Sequence, residues 1–537
     1  MYMKKVKRYI PIMLALLLVI TGGCGYYDLP QSVEEQINAD SGGAERTPEP
    51  TATASPRPRP EGDSVFTLDY EPGRGFNPYS SESATNYRLS GLCYESLFIL
   101  GGDFTYSPNL CDKWSMEDGG YKYRFEIKSG IKMHDGSDLS IFDVVYSINL
   151  ARESERFSKR FKDVSAVYIS EGDICVELDT PNTEFCALLD IPVVKDGTGY
   201  DSIPVGSGPY VYAEINDYVC MKAFEGYRTY DTLPISRFYL KNYGSDSLIN
   251  AFSGAFVDLV VSELSNTTHL EYKGDCEVRY CEGTTLHFLG FNTGRGFCAK
   301  ATHRIIISSA ADRELLSKKY VAGTVPTRLP VSPFSRWYDR QIADISLVKP
   351  EDMPEYLIRS LVEDYDGDGQ LEYIEDNIVW DFVLEFIVNK DNLQKVAAAR
   401  KITAQLTDMG FDVKLLELGW YEYLTRLNTG EYDIYYGEVK LPANFDLSEL
   451  LCYGGGACYG FYDTTLQNYV SIFNSAGEEQ KPQAASDLFV YLTDNAYIAP
   501  LMFERVAVYT HRGVVSNMTP SLHNVFSNVA EWTIDLS

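Results

Sequence analysis

Two short segments carry residue types that could do chemistry. Residues 134–136 read His-Asp-Gly, which sets an imidazole beside a carboxylate, and residues 364–375 contain alternating aspartates. A catalytic His/Asp pair also needs a nucleophile that it can activate. Ser207 is flanked directly by Gly206 and Gly208, so it lacks the GxSxG spacing of a nucleophile elbow. The His-Asp-Gly segment is therefore interpreted as a turn, in which glycine supplies a positive φ.

The aspartate-rich segment permits two interpretations. Its candidate calcium ligands are Asp364, Asp366, Asp368 and Glu375. They match positions 1, 3, 5 and 12 of an EF-hand loop, and Gly369 fills the sixth position. However, residues 381–388 resemble a strand rather than the helix that follows such a loop. A hairpin turn is favoured, with calcium binding as the alternative. The sequence contains no Walker motif, phosphate-binding glycine loop or HExxH segment, so no cofactor is expected.

Composition limits the class of protein. The 537 residues carry a formal net charge of −29 and are 45% hydrophobic. A chain of this length predicts two or three lobes rather than one compact domain. The acidic balance argues against nucleic acid as a partner, because binding phosphates requires a basic face.

The first residues predict export and a lipid anchor. Basic residues precede the apolar run 10–20, which is too short to span a bilayer as a mature helix. Residues 21–24 read Thr-Gly-Gly-Cys and resemble a bacterial lipobox, so residues 1–23 are predicted to be a signal peptide and Cys24 the lipidated residue. Residues 24–63 are rich in proline and predict an extended tether. The expected location is the outer side of the cell membrane, facing the extracellular or periplasmic space; an ordinary signal peptide with an incidental cysteine stays open.

From residue 64 onward the pattern is mixed α/β. Residues 121–127 place Tyr, Tyr, Phe and Ile on one face, which predicts a half-buried strand. Residues 140–151 predict a helix that begins with a capping serine and has an aspartate in its first turn. Apolar residues at helical spacing predict further helices over 87–98 and 397–412.

A longer ordered pattern lies in the same region. Residues 114–147 read WSMEDGGYKYRFEIKSGIKMHDGSDLSIFDVVYS. This stretch resembles the signature of the family 5 solute-binding proteins, the oligopeptide-, dipeptide- and nickel-binding group. The shared features are the tryptophan, an acidic turn, the Tyr-x-Phe strand, the His-Asp-Gly turn and the Asp-Val-Val-x-Ser helix. The Gly-Ser-Gly-Pro-Tyr turn at 206–210 and the Asn-Pro pair at 77–78 extend the resemblance, which covers nearly everything from residue 65 onward.

The resemblance implies an α/β fold of two lobes, the type II periplasmic-binding-protein-like fold of the large subclass with an extra subdomain in the first lobe. The expected boundaries are lobe I at 64–285 with its subdomain at about 86–200, lobe II at 286–504 and a C-terminal return to lobe I at 505–537. The resemblance also implies a monomeric binding protein, not an enzyme. Such a protein closes its lobes on a peptide-like or other small ligand and delivers it to the permease of an ABC transporter.

The stretch expected to line the ligand site is 436–451, YGEVKLPANFDLSELL. In peptide-binding members of the family the matching strand pairs with the peptide, and a nearby aspartate holds the peptide amine. Here Lys440 or Leu441 takes that position, depending on the alignment, and neither is acidic. Glu438 or Asp446 could replace the aspartate, whereas Lys440 could pair with an acidic group of the ligand or with Glu438. The candidate ligand contacts are Asn77, Gly437, Glu438, Val439, Lys440, Phe445 and Asp446.

Two other functions remain compatible with the sequence. One is a binder of a non-peptide ligand, such as an oligosaccharide or a metal chelate. The other is a sensor or adhesion lipoprotein that kept the fold and lost transport. Permease and ATPase genes beside this one would favour import, and a kinase or regulator gene would favour sensing.

Overall fold

The computed structural model describes residues 65–215, 218–265, 272 and 274–536. The predicted signal peptide, Cys24 and the tether lie outside these residues. Within the described part, no helix is both long enough and apolar enough to span a bilayer.

Strands and helices alternate along most of the chain. The strands are β1 Phe66–Asp69, β2 Phe98–Leu100, β3 Tyr106–Pro108, β4 Cys111–Glu117, β5 Lys122–Ile127, β6 Val164–Ser170, β7 Asp173–Leu178, β8 Tyr210–Ile215, β9 Tyr218–Ala223, β10 Arg237–Lys241, β11 Leu259–Glu263, β12 Cys276–Phe291, β13 Thr324–Pro326, β14 Val362–Glu363, β15 Glu372–Glu375, β16 Ile378–Trp380, β17 Leu384–Asn389, β18 Val413–Leu418, β19 Ile434–Lys440, β20 Ile498–His511, β21 Val515–Ser516 and β22 Thr533–Ile534. The helices are α1 Ala84–Ser90, α2 Ile141–Glu153, α3 Ser245–Ser253, α4 Ala301–Ala310, α5 Arg313–Lys319, α6 Arg340–Ile345, α7 Met353–Arg359, α8 Leu393–Asp408, α9 Trp420–Thr429, α10 Ser448–Leu451, α11 Thr464–Ser475 and α12 Lys481–Asn495.

Two long strands, β12 and β20, run through the middle of the molecule. They pair antiparallel from Cys276 opposite His511 to Gly290 opposite Ile498. The register shifts between Glu282 and Leu286 and again between His287 and Phe288, so the pairing is irregular near the middle of β12. At roughly 3.3 Å per residue, a 16-residue strand such as β12 is about 50 Å long. These strands are therefore long enough to belong to both lobes.

The main sheet explains how two lobes share one framework. Its order is β18-β17-β19-β12-β20-β11-β1-β10-β9-β8, and β13 pairs with β20 off this path. Strands β1 and β8–β11 lie on one side of the crossing pair, and β17–β19 lie on the other. Each side is covered by helices and has its own buried apolar clusters. The two-lobe α/β fold expected from the sequence is confirmed.

An antiparallel sheet of order β4-β5-β7-β6 forms the subdomain that α2 covers. Tyr123 and Phe125 of β5 are fully buried, as their alternation predicted. Ser140 accepts a hydrogen bond from the Asp143 N–H, and the Asp143 carboxylate accepts one from the Ser140 N–H. This capping box satisfies two N–H groups that the first turn of α2 would otherwise leave free.

The helix predicted over 87–98 is wrong in extent. Helix α1 ends at Ser90, and the chain then turns into the short strand β2. Gly91 lies so close to Asn524 that an added Cβ would be 2.3 Å from its Oδ1 atom, which fixes the turn at this point. The apolar residues after Gly91 are buried although they lie in the turn and not in a helix. Their helical spacing therefore does not indicate a helix.

Helix α8 agrees with its prediction within a few residues. Its apolar face, Ala398, Ala399, Ile402 and Leu406, is completely buried. The chain leaves the helix through Gly410, whose φ of 96° disfavours any residue with a Cβ, and enters β18.

Candidate ligand site between the lobes

Strand β19 presents an unpaired edge where the lobes meet. Its partner on one side is β12, along the whole of 434–440. On the other side β17 pairs only with Ile434 and Tyr435. No strand among the described residues pairs with the rest of that edge.

The free edge can be assigned to particular backbone groups. The Leu441 N–H donates to the Thr284 carbonyl (3.0 Å), and the Asn292 N–H donates to the Asp433 carbonyl (3.0 Å), so odd-numbered residues of β19 face β12. The N–H and C=O groups of Glu438 and Lys440 therefore point to the opposite side. An extended ligand can pair with these groups as an additional strand.

Aromatic side chains of α9 mark one end of this edge. The Tyr423 hydroxyl donates to the Tyr436 carbonyl (2.8 Å). The free part of the edge begins after this carbonyl. The Trp420 and Tyr423 rings stack with centroids 5.9 Å apart, and Trp420 is exposed. An exposed aromatic ring beside free backbone groups offers a ligand a rigid apolar surface.

At the other end of the edge, charged groups from both lobes act electrostatically on Lys440. We call this set the junction site. It consists of Arg156, Arg160, Glu263, Lys440, Glu504 and His523. Burial lowers the pKa of Lys440, as do the positive charges of Arg160 and Arg156, whereas Glu263 and Glu504 act in the opposite direction. The side chain is nevertheless open to solvent.

The carboxylates of the junction site already have partners. Glu504 Oε1 lies 2.8 Å from His287 Nε2, and Glu263 Oε1 lies 2.5 Å from Arg88. Burial opposes ionisation of Glu504, but the hydrogen bond and the charge of His287 outweigh it and hold the pKa of Glu504 below its usual value.

Arginine and histidine of lobe I form a second paired group here. Arg160 donates to Asp190 (2.7 Å), and the same carboxylate contacts His523 Nδ1. Despite burial, these two neighbours keep the pKa of Asp190 low. The Arg160 guanidinium also lies 2.8 Å from His523 Nε2, so one edge of the ring is held by a cation and the other by an anion.

Within the described part of the chain, two groups of side chains have the composition of a metal site. His287, Glu438 and Glu504 approach one another on one face of the crossing strands, and Tyr436 holds the other ring nitrogen of His287 at 2.9 Å. The Lys395 ammonium contacts Glu438. The Lys395 ammonium therefore supplies positive charge beside Glu438, and His287 Nε2 lies 2.8 Å from Glu504.

The second group is the aspartate-rich segment between β14 and β15. Asp364 accepts hydrogen bonds from the N–H groups of Gly367 (2.6 Å) and Gly369 (3.0 Å), which closes a turn between the two strands. The side chains that come together are Asp364, Asp366, Asp368 and Glu372. Glu375 is not among them, because β15 directs it to Lys300 at 3.4 Å. The segment has the hairpin form that the sequence favoured over an EF-hand.

Away from the junction site, the subdomain touches lobe II through a second set of residues that we call the rim contact. It joins Phe104, Asn182, Thr183 and Glu184 of the subdomain to Arg336, Asn444, Phe445, Asn474 and Lys481 of lobe II. Both Glu184 oxygens accept from one nitrogen of Arg336 at 2.8 Å. Burial lowers the pKa of Lys481 to about 8, although Glu184 lies nearby.

Several residues predicted to contact ligand are engaged in contacts within the protein. Asn77 is buried, donates to the carbonyls of Gly199 (2.8 Å) and Asp201 (2.7 Å) and accepts from the Tyr79 N–H, so its side chain has no free group. Phe445 is fully buried between Phe104 and Phe503. Both side chains are engaged by the protein itself in this structure, and their role as ligand contacts stays a prediction.

The remaining predicted residues divide in the same way. Val439 is buried, and Gly437 lies against Phe288, where an added Cβ would be 2.5 Å from the ring. Asp446 accepts from Ser448 and from Asn474 (2.7 Å). Only Glu438 and Lys440 combine an exposed side chain with free backbone groups on the open edge.

Sequence reasoning missed the lobe I half of the junction site. Arg156 and Arg160 follow α2, whereas Asp190 and His523 are separated by 333 residues. One signal was available: residues 152–162 contain five basic side chains in a strongly acidic protein. The pairing with His523 had no counterpart in the sequence.

The fold and this site define a two-lobe binding protein, in which the candidate ligand groups lie at the lobe junction. Residues 105–445 match the family described as bacterial extracellular solute-binding proteins, family 5 middle. The match covers more than half of the chain, which therefore belongs to this family.

Known relatives agree with that assignment. The oligopeptide-binding protein AppA of Bacillus subtilis (strain 168) is 25% identical over 411 residues, covering 70% of this chain and 73% of the relative. Among solved structures, the unliganded open form of the periplasmic murein tripeptide binding protein MppA matches with a TM-score of 0.71 at 15% identity, covering 88% of this chain and 98% of that one. NikZ from Campylobacter jejuni in complex with Ni(L-His) matches with a TM-score of 0.59 at 17% identity, covering 87% and 99%.

Proposed function

We propose that this protein is a lipid-anchored extracellular binding protein that captures a peptide-like solute between its lobes and delivers it to an ABC transporter permease. The observation that carries the proposal is the unpaired edge of β19 beside an exposed, unpaired lysine at the lobe junction. Extended peptides bind such an edge through main-chain hydrogen bonds. The name of the relative AppA, an oligopeptide-binding protein, supports the same ligand class.

The mechanism follows from the connection between the lobes. We place lobe I at 64–285 and 505–537, with its subdomain at about 86–200, and lobe II at 286–504. The two register shifts, between Glu282 and Leu286 and between His287 and Phe288, interrupt regular pairing of the crossing strands, so this segment is the proposed site of bending. A solute that contacts β19 and lobe I together stabilises the closed arrangement, and the permease recognises that arrangement. The chain itself acts by binding, without catalysis.

The anchor completes the proposal. Cys24 would carry the lipid, and the proline-rich residues 24–63 would hold the lobes away from the membrane while leaving them free to reach a permease. Replacing Cys24 with serine should release the protein from membranes into the medium, with its ligand affinity unchanged.

Binding and closure can be tested on the full chain in detergent. A pool of random tetrapeptides should raise the melting temperature, because a ligand that binds only the folded state stabilises it by mass action. Hydrogen exchange of the Thr183 amide, which donates across the rim contact to Asn474, should slow when solute is bound. Binding without any change in this amide would contradict closure, and failure of all peptide, sugar and metal-chelate pools to bind would contradict the function.

A further inference from the structure

Two cations of the junction site have no anionic partner. Among the described residues, no carboxylate lies within 4.0 Å of the Lys440 ammonium, and no hydrogen bond reaches it. Arg156 donates to the Ser81 carbonyl (2.6 Å) and lies over the Tyr87 ring at 3.8 Å, again without a carboxylate. Unpaired positive charge is unexpected in a chain whose net charge is −29.

Neighbouring acids cannot neutralise these two cations without giving up existing partners. Glu263 is paired with Arg88, and Glu504 with His287. Asp190 is shared by Arg160 and His523. The junction site therefore keeps an excess of positive charge next to the free backbone groups of Lys440.

This charge distribution selects among solutes. An ammonium group placed against Lys440 and Arg156 would be repelled, because burial weakens the screening that water provides. A carboxylate or phosphate there would gain charge-assisted hydrogen bonds and neutralise the excess. The free edge of β19 leads an extended solute directly to this point.

We propose that Lys440 and Arg156, with Arg160 beside them, form an anion-binding subsite, so that the captured solute is one with a carboxylate or phosphate at the end that reaches the lobe junction. This inference rests on the proposed function and names its ligand class. Lys440 approaches from lobe II and the two arginines from lobe I. The anion therefore bridges the lobes and contributes to their closure.

The test compares one pool of random tetrapeptides in three chemical forms: free amine, N-acetyl and N-succinyl. Equilibrium dialysis against the full chain in detergent, read by mass spectrometry, gives the affinity of each form. The succinyl form should bind at least about tenfold more tightly than the free-amine form, with the acetyl form between them. Inorganic phosphate, compared with chloride at equal ionic strength, should compete with the succinyl form, and its strength of competition distinguishes phosphate from carboxylate recognition.

Variants locate the effect. Lys440→Met should remove the preference for the succinyl form while acetyl-peptide affinity changes little, and Lys440→Arg should retain the preference. Lys440→Asp should reverse it, so that free-amine peptides bind best. Lys318→Met, the same change at an exposed position of α5, should leave all three affinities as in the wild type.

Each other outcome counts against a specific statement. If wild-type protein binds free-amine peptides as tightly as succinyl peptides, or if Lys440→Met keeps the succinyl preference, the anion subsite is refuted while the solute-binding function stands. If no form of the pool binds and sugars and chelates also fail, both are refuted.

Discussion

The rim contact and the junction site lie at the same lobe boundary, but they differ in whether their charged side chains have partners. At the rim, Glu184 accepts from Arg336, and Lys481 donates to Thr183 over the ring of Phe473. At the junction, Lys440 reaches solvent and has no ion-pair or hydrogen-bond partner among the residues that the structure describes. The rim satisfies its own polar groups, whereas the junction leaves a position for a group that the protein does not supply.

This difference separates residues that hold the lobes together from residues that select a solute. A buried polar group without a partner destabilises the fold, so a framework contact must be complete within the chain. A ligand contact must be incomplete until the solute arrives. Truncating a rim residue should therefore reduce stability, and truncating Lys440 should reduce affinity.

The largest expected effect is at Phe445. Phe445→Ala should destabilise the ligand-free protein by about 3–5 kcal/mol, because the ring is fully buried between Phe104 and Phe503. Denaturant unfolding measures the loss. The control Phe142→Ala removes a ring that is 62% exposed and should change stability little. Unchanged stability in Phe445→Ala would mean that this residue lines a ligand site, as the sequence suggested.

The second effect is a pH dependence at Lys481. Its pKa is about 8 in the folded protein, below the usual value near 10.5 in the unfolded chain. The unfolded chain therefore binds more protons between these values, so folding becomes more favourable as pH rises. Relative to Lys481→Met, wild-type stability should increase by roughly 2 kcal/mol from pH 7 to pH 10.

Measuring both proteins at each pH cancels the titration of groups that they share. A difference that stays flat with pH would show that Lys481 is well solvated. The polar groups of the rim contact would then be hydrated rather than satisfied by one another.

The smallest expected effect is on the ligand-free stability of Lys440→Met. Since Lys440 has no partner to lose, the free energy of unfolding should change by no more than about 0.5 kcal/mol, with a slight increase expected from removing an unpaired charge. Thermal unfolding without solute checks this. A loss of more than about 2 kcal/mol would make Lys440 a framework residue and remove the contrast with the rim.

Local patterns in the sequence predicted local structure well. The alternation over 121–127 identified β5, and the serine–aspartate spacing at 140–143 identified the capping box of α2. Both depend on residues a few positions apart, so the sequence contains all the information needed. The helix predicted over 87–98 failed because Gly91 is constrained by Asn524, which is 433 residues away.

Unlike these elements, the predicted site residues stay predictions. The structure shows that residues 436–440 belong to a strand with an unpaired edge, and their role in ligand binding stays a prediction. Asn77 and Asp446 have the polar side chains of ligand contacts, and only their hydrogen bonds to Gly199 and to Asn474 reveal that they are already used. The type of a residue does not indicate whether its hydrogen-bond partners lie within the same chain.

The family and the two-lobe α/β architecture follow from the sequence alone, which also predicts a non-acidic residue, Lys440 or Leu441, where peptide-binding members hold the peptide amine. The groups around that position became visible only in the folded chain. Folding brought Arg156 and Arg160 from lobe I to Lys440 from lobe II, and it paired the nearby acids with other residues. The physical reason is that net charge at a site is a sum over neighbours in space, and folding chooses those neighbours from positions hundreds of residues apart.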